Sequence, residues 1–166
     1  PAKTWEEGLI CGNGTIGGVV TVVSNGTLTA AATNTTGTLP LTTNLAMNGV
    51  LLCNINGTND YDQVVVSGNV DAGATAALQV KLGYAPKGGQ QFTILSNDDT
   101  DAITGAFSGL AEGALVSAGP RQFRISYTGD TGNDVVLTAT NTAALRPVLT
   151  VWHTTTNTVV VSWPQS

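Results

Sequence analysis

His153 is the one histidine of the chain, and it stands beside Trp152 in a stretch that reads as a turn. With no cysteine or carboxylate close to it in sequence, it makes neither a hydrolytic triad nor a zinc site. Its plain reading is an exposed turn residue. Asp98, Asp99 and Asp101 form an acidic run. Paired carboxylates held about 5 to 10 Å apart can cleave glycosidic bonds. Such sites want basic residues and aromatic platforms beside the acids. Arg121 and Arg124 are the basic candidates here, and no aromatic residue is marked for the surface, so a solvated loop competes with the enzyme reading. The string TGDTGNDVV, with Asp130, Asn133 and Asp134, is like one copy of a glycine/aspartate calcium repeat. Calcium takes about six to eight oxygens. One copy supplies too few, and a tight turn accounts for the same residues. No catalytic, cofactor-binding or metal residue is assigned.

Cys11 and Cys53 are the whole thiol inventory. One disulfide is the simple guess for a secreted chain. The register argues otherwise. Both cysteines end a similar apolar triplet, GLIC and VLLC. If these stack in one column with TLTA between them, the cysteines are about 9.6 Å apart. A disulfide needs Cα atoms within about 7 Å. Two buried thiols acting as small hydrophobes are therefore expected. Asn13, Asn25, Asn34 and Asn56 each begin an Asn-x-Thr sequon. They mark the outside if the source glycosylates asparagine, and are turn residues in either case.

The elements that must carry these residues are short. Of 166 residues only 10% are charged and 5% aromatic, yet 42% are hydrophobic, and 20 are glycine. The core must be built from many small Val, Leu, Ala and Thr side chains, which favour pleated surfaces, with Gly and Asn at turns. No segment combines helix formers with a helical period. The net charge of -5 and six scattered Lys and Arg residues give no basic footprint, which argues against nucleic acid and against an anionic membrane surface. No apolar run approaches the roughly 18 residues of a membrane span. The chain opens at Pro1 without a signal peptide and reads as a processed or excised piece of something larger.

The central stretch, DQVVVSGNVDAGATAALQVKL from Asp62 to Leu82, is the pattern that the rest extends. Upstream, LIC, VVTVV and TLTA make a first pass, and TLPL, LAM and VLLCNI a second. Each pass takes about twenty to twenty-five residues and carries three short apolar segments closed by Asn-Gly, Gly-Asn or Ser-Gly, which is a repeat-stack signature. A hairpin meander is the competitor, since Asn-Gly also closes hairpins. Stacked in parallel, Val64, Val66, Val70, Leu78, Val80 and Leu82 face inward and Val65 outward. The corners are expected to need the positive φ that Gly and Asn tolerate. Trp5 reads as a shield for the first turn of the stack. Downstream, Ile103, Phe107 and Leu110 read as buried points, and Phe92, Phe107, Phe123 and Tyr127 gather as a cap. VLTVW and TVVVSW read as a terminal hairpin.

Three parts follow: residues 1–82 as stacked strands, 83–140 as the last turns and cap, and 141–166 as linker and hairpin. The expected fold is all-β, a β-solenoid of parallel strands with a C-terminal β cap and a terminal β-hairpin. The order GNGTIGGVVTVVSNGTLTA, TGTLPLTTNLAMNGVL, YDQVVVSGNVDAGATAALQV, FTIL and FRISYTGDTGNDVVLT resembles the autotransporter-associated β-strand repeat, also called the passenger-associated transport repeat. The tail PVLTVWHTTTNTVVVSWP is similar to the first strands of a fibronectin-type-III-like module. The resemblance implies a right-handed parallel β-helix in a bacterial secreted or cell-surface protein. The expected role is a non-catalytic stalk or fibre element that joins its own copies head to tail by strand addition. An adhesin-like module for cell-surface glycans is the alternative, and a carbohydrate-active enzyme a third.

Overall fold

A computed structural model describes residues 3–5, 8–32, 34–98, 100–141, 150–153 and 159–162. Among these the chain is all-β. Its strands are β1 (Lys3–Trp5), β2 (Gly8–Ile10), β3 (Val20–Val22), β4 (Gly26–Leu28), β5 (Thr38–Leu41), β6 (Leu45–Met47), β7 (Val50–Ile55), β8 (Gln63–Val66), β9 (Val70–Ala72) and β10 (Ala77–Leu82). Then come β11 (Gln91–Asn97), β12 (Thr104–Gly105), β13 (Leu115–Ala118), β14 (Arg121–Gly129), β15 (Asp134–Ala139), β16 (Thr150–His153) and β17 (Val159–Ser162).

Strands of three or four residues cannot bury a face alone, so each must find its neighbours far along the chain. The first sheet has the order β1-β3-β6-β9-β12, the second β10-β7-β4-β2, and the third β13-β14-β15-β11-β8-β5. From β3 to β12 the chain visits the three sheets in turn, and every pairing among those strands is parallel. The third sheet is mixed, because β13, β14 and β15 join β11 antiparallel. No sheet closes on itself. The terminal hairpin is present as β16 against β17.

Register puts like on like. Val20, Leu45 and Val70 are partners in the first sheet, as are Val22, Met47 and Ala72. Leu28, Leu51 and Leu78 align in the second, and Leu39, Val64 and Leu95 in the third. All except the half-buried Leu78 are buried. Between them Thr21, Ala46 and Asp71 turn outward on the first sheet, the alternation that a pleated strand imposes. The expected inward set therefore holds at Val64, Val66, Val70 and Val80, while Leu78 and Leu82 are half-buried against the core. Val65 lies between two buried valines and is half-buried itself. Fully burying a Val or Leu stabilises by about 1.5–3 kcal/mol, so the columns supply the cohesion that single strands lack.

The corners differ from expectation. Among the described non-glycine residues only Asn34 and Asp130 have positive φ. Gly49, Gly68, Gly73 and Gly83 have none, yet a Cβ on any of them would collide with the turn stacked against it. Added to Gly49, it would stand 2.3 Å from the Gly26 carbonyl oxygen and 2.4 Å from that of Val23. At Gly49 glycine is required because two turns touch, not because the backbone is left-handed; at Gly73 and Gly83 the nearest atom is the Oδ1 of a stacked asparagine.

The cysteine expectation is corrected in the same way. β2, β4 and β7 do stack in that order. However, Ile10 pairs with Leu28 and Leu28 with Leu51, which puts Cys11 in phase with Thr29 and Leu52 rather than with Cys53. A one-residue offset reverses the face of a side chain. Both thiols are free, Cys53 buried and Cys11 exposed.

The large side chains share one core and make two sets of ring contacts within it. Phe92 meets Tyr61, Tyr84 and Phe123 edge-on, with ring centroids 5.3, 6.4 and 6.0 Å away. Phe107 lies 6.2 Å from Tyr127. Of the three points expected to be buried near them, Phe107 is, while Ile103 and Leu110 are half-buried. Replacing Gly49→Ala is expected to cost about 1–3 kcal/mol in urea denaturation. Gly17→Ala, where an added Cβ meets nothing within 4 Å, should stay within about 0.5 kcal/mol of the parent.

Candidate functional site

The acidic run follows β11, and the TGDTG turn joins β14 to β15. Because β15 lies antiparallel beside β11, with Leu95 opposite Val135, the end of β11 and the turn before β15 are neighbours. Two motifs about thirty residues apart in sequence thus become one cluster. The Asp134 carboxylate, buried, accepts the Asn97 backbone N–H at 2.8 Å and the Thr131 N–H at 3.0 Å. The Thr131 hydroxyl lies 2.6 Å from Asp134 Oδ2 and 2.8 Å from Asn133 Oδ1. The side-chain amides of Asn97 and Asn133 both donate to the Asp101 carbonyl, at 2.8 and 3.2 Å. Asp130 accepts the Thr93 hydroxyl at 3.2 Å.

These groups hold backbone. Asp98 is exposed, Asp101 half-buried and Asp134 buried with both oxygens occupied, so the acids do not face one another across a cleft. Asp99 lies outside the described residues. Arg124 donates to the Gly113 carbonyl at 2.6 Å, and Arg121 is half-buried at the start of β14. No group of three or more His, Cys, Asp or Glu side chains among the described residues is arranged to hold a metal ion. Asn97 Oδ1 and Thr43 Oγ1 are the buried side-chain atoms without a partner among the described residues. His153 is the last residue of β16, opposite Val159, and not in a turn; its side chain, like that of Trp5, lies outside the described residues. Asn13, Asn25 and Asn34 are exposed and Asn56 is half-buried at the NGTND turn, where its N–H donates to the Asp60 carbonyl at 2.8 Å.

A second polar centre was not foreseen. Asp62 is buried. Its carboxylate accepts four hydrogen bonds: the Thr29 hydroxyl at 3.1 Å, the Gly37 N–H at 3.0 Å, the Asn54 N–H at 2.9 Å and the Asn54 side-chain amide at 2.7 Å. Thr29 and Asn54 are buried too. The sequence did carry a signal. Asp62 shares the parity of Val64 and Val66, so alternation alone sends a carboxylate inward, where it must be met by donors. Beside it, burial first and the Asp62 carboxylate second push the Cys53 thiol far up, against the lowering effect of a hydrogen bond with the Asp62 backbone, so it stays protonated.

A third set of polar contacts fastens the segment between β12 and β13. The Tyr127 hydroxyl donates to the Leu110 carbonyl at 2.7 Å and accepts the Phe107 N–H at 2.9 Å. The Tyr127 N–H donates to Glu112 Oε2 at 2.6 Å. Burial pushes this phenol above its ordinary pKa; the Phe107 N–H opposes the shift and the Glu112 carboxylate adds to it. No family model, curated protein or solved structure matches the chain.

Asp62→Asn turns an N–H₂ group toward donors and is expected to lose about 3 kcal/mol or more in urea denaturation. Asp98→Asn on the surface should change stability by less than about 0.5 kcal/mol. Alkylation of the native protein at neutral pH should label Cys11 alone, with Cys53 reacting only in denaturant, as read by peptide mass.

Proposed function

We propose that the chain is a segment of a right-handed parallel β-helix, a non-catalytic structural element of a secreted or cell-surface bacterial protein that serves as a stalk or fibre unit. One observation carries the reading: β3 to β12 pass through three sheets in a fixed order, always parallel, with aliphatic residues in continuous columns. A sequence built this way gains length by adding passes, and each pass is stabilised only by its neighbours. The occupation of Asp62 and Asp134 by backbone donors fits a scaffold, because their oxygens hold the stack together rather than face a substrate. The resemblance to autotransporter-associated repeats points the same way. Association of copies end to end belongs to this reading, since β1 and β2 each have one described partner strand and are sheet edges.

Electron microscopy of the purified chain, together with small-angle scattering, tests the reading. Because one copy stacks only a few strands at about 4.8 Å each, the elongated particles expected are end-joined copies; a strictly monomeric protein at high concentration would overturn the fibre reading. Val66→Asp, which sets a charge inside the column of Leu41 and Asn97, should abolish cooperative unfolding of the whole stack rather than loosen one turn, as followed by circular dichroism.

A further inference from the structure

The dipeptide Asn-Gly occurs four times, at Asn13, Asn25, Asn48 and Asn56. Glycine has no Cβ to shield its own nitrogen, and its backbone turns freely. Once deprotonated, that nitrogen can close a five-membered ring on the Cγ of the preceding asparagine. The attack asks two things of the fold: a glycine N–H without an acceptor, and an asparagine side chain free to swing over it. Three of the sites lack them. The Gly26 N–H donates to the Val23 carbonyl at 2.8 Å, and the Gly57 N–H to the Asp60 carbonyl at 2.9 Å. Gly49 is buried, wedged against the carbonyls of Gly26 and Val23. The Asn48 N–H donates to the Val22 carbonyl at 2.7 Å, and the Asn48 carbonyl accepts the Thr75 hydroxyl at 2.8 Å. The side chains of Asn48 and Asn56 are laid on the next turn, their Oδ1 atoms against Gly73 and Gly83. Asn13 stands apart. It lies in the loop from β2 to β3, between Ile10 and Ile16, the latter bridged to Leu41. Asn13, Gly14 and Thr15 are exposed. Neither Asn13 nor Gly14 makes a hydrogen bond to a described residue, and a Cβ built on Gly14 meets nothing within 4 Å.

We propose that Asn13 is a self-modification site, converted to aspartate and isoaspartate in the folded protein by the Gly14 nitrogen, while the stack keeps the other three Asn-Gly pairs intact. Hydroxide takes the Gly14 amide proton. The bond from nitrogen to Asn13 Cγ forms, the Cγ–Nδ2 bond breaks, and the leaving nitrogen takes a proton from water and departs as ammonia. Water then opens the cyclic imide. Opening at Cγ leaves ordinary aspartate; opening at the backbone carbonyl leaves isoaspartate, with the chain running through Cβ and Cγ. Water is the co-reactant, and no electron changes hands. Either product adds a negative charge to a chain whose net charge is already -5. It does so in the loop that leaves β2, an edge of the second sheet. The conversion is therefore a clock set at one end of the stack, running wherever the chain is kept in water.

Incubation of the full chain at mildly alkaline pH in water of heavy oxygen, followed by peptide mass spectrometry, tests the proposal. The label should enter the peptide holding Asn13 about tenfold or more faster than those holding Asn25, Asn48 and Asn56. In urea, where no turn holds them, the four rates should converge. Gly14→Ala places its methyl in open space, so the fold stands, but the methyl crowds the attacking nitrogen and should slow labelling at Asn13 several-fold. Equal labelling of Asn13 and Asn48 in the folded protein would overturn selection by the stack. An Asn13 peptide that stays unlabelled, while the chain in urea labels at all four sites, would overturn Asn13 as the site. Labelling undiminished by Gly14→Ala would overturn ring closure in favour of direct hydrolysis of the side-chain amide.

Discussion

Three-residue strands have no stability of their own, and the structure depends on how they obtain it. Hydrogen bonds between β3, β6 and β9 cross gaps of about one whole pass of chain. The inward residue on each strand covers the inward residue on the next, so apolar burial and ladder bonding are gained by the same act of alignment. Small side chains suit this arrangement. A column of valines and leucines repeats without steric conflict from pass to pass, whereas alternating large and small residues would require each pass to be shaped differently. The large aromatics are found where repetition ends, around Phe92 and Phe107, where irregular space needs filling.

The polar interior obeys the same constraint. Turns bring backbone N–H groups inward that no ladder can satisfy. Asp62 answers those of Gly37 and Asn54, at the two ends of the second pass, and Asp134 answers those of Asn97 and Thr131. Each carboxylate is positioned by alternation and retained by charge-assisted bonds to groups otherwise left dry. This explains how a chain with few charges keeps some of them in its core.

Much of the strand pattern was legible. TLPL, LAM, VLLCNI, QVVV and VDA stand as read, because apolar segments bounded by turn residues are local signals. Register was less so. Cys11 and Cys53 looked equivalent as the ends of similar triplets, yet an offset of one residue separates their environments, and only the ladder fixes that offset. The corner glycines were legible as turns but not as contacts, since the clash at Gly49 comes from Gly26 and Val23 one pass away. The acidic run and the TGDTG turn were each visible. Their meeting was not, because it depends on β15 returning to β11. Asp62 could have been found by parity alone.

β11 pairs with β8 on one side and with β15 on the other, in opposite senses. One ladder uses chain already present when β11 emerges from the ribosome, and the other needs residues made some forty positions later. The earlier strands can therefore settle while synthesis continues, but the final closure must await the arrival of Asp134–Ala139. A nascent chain halted between Asn97 and Asp134 carries a hydrophobic strand with one flank bare, so the interval between those residues is when this protein most needs a chaperone.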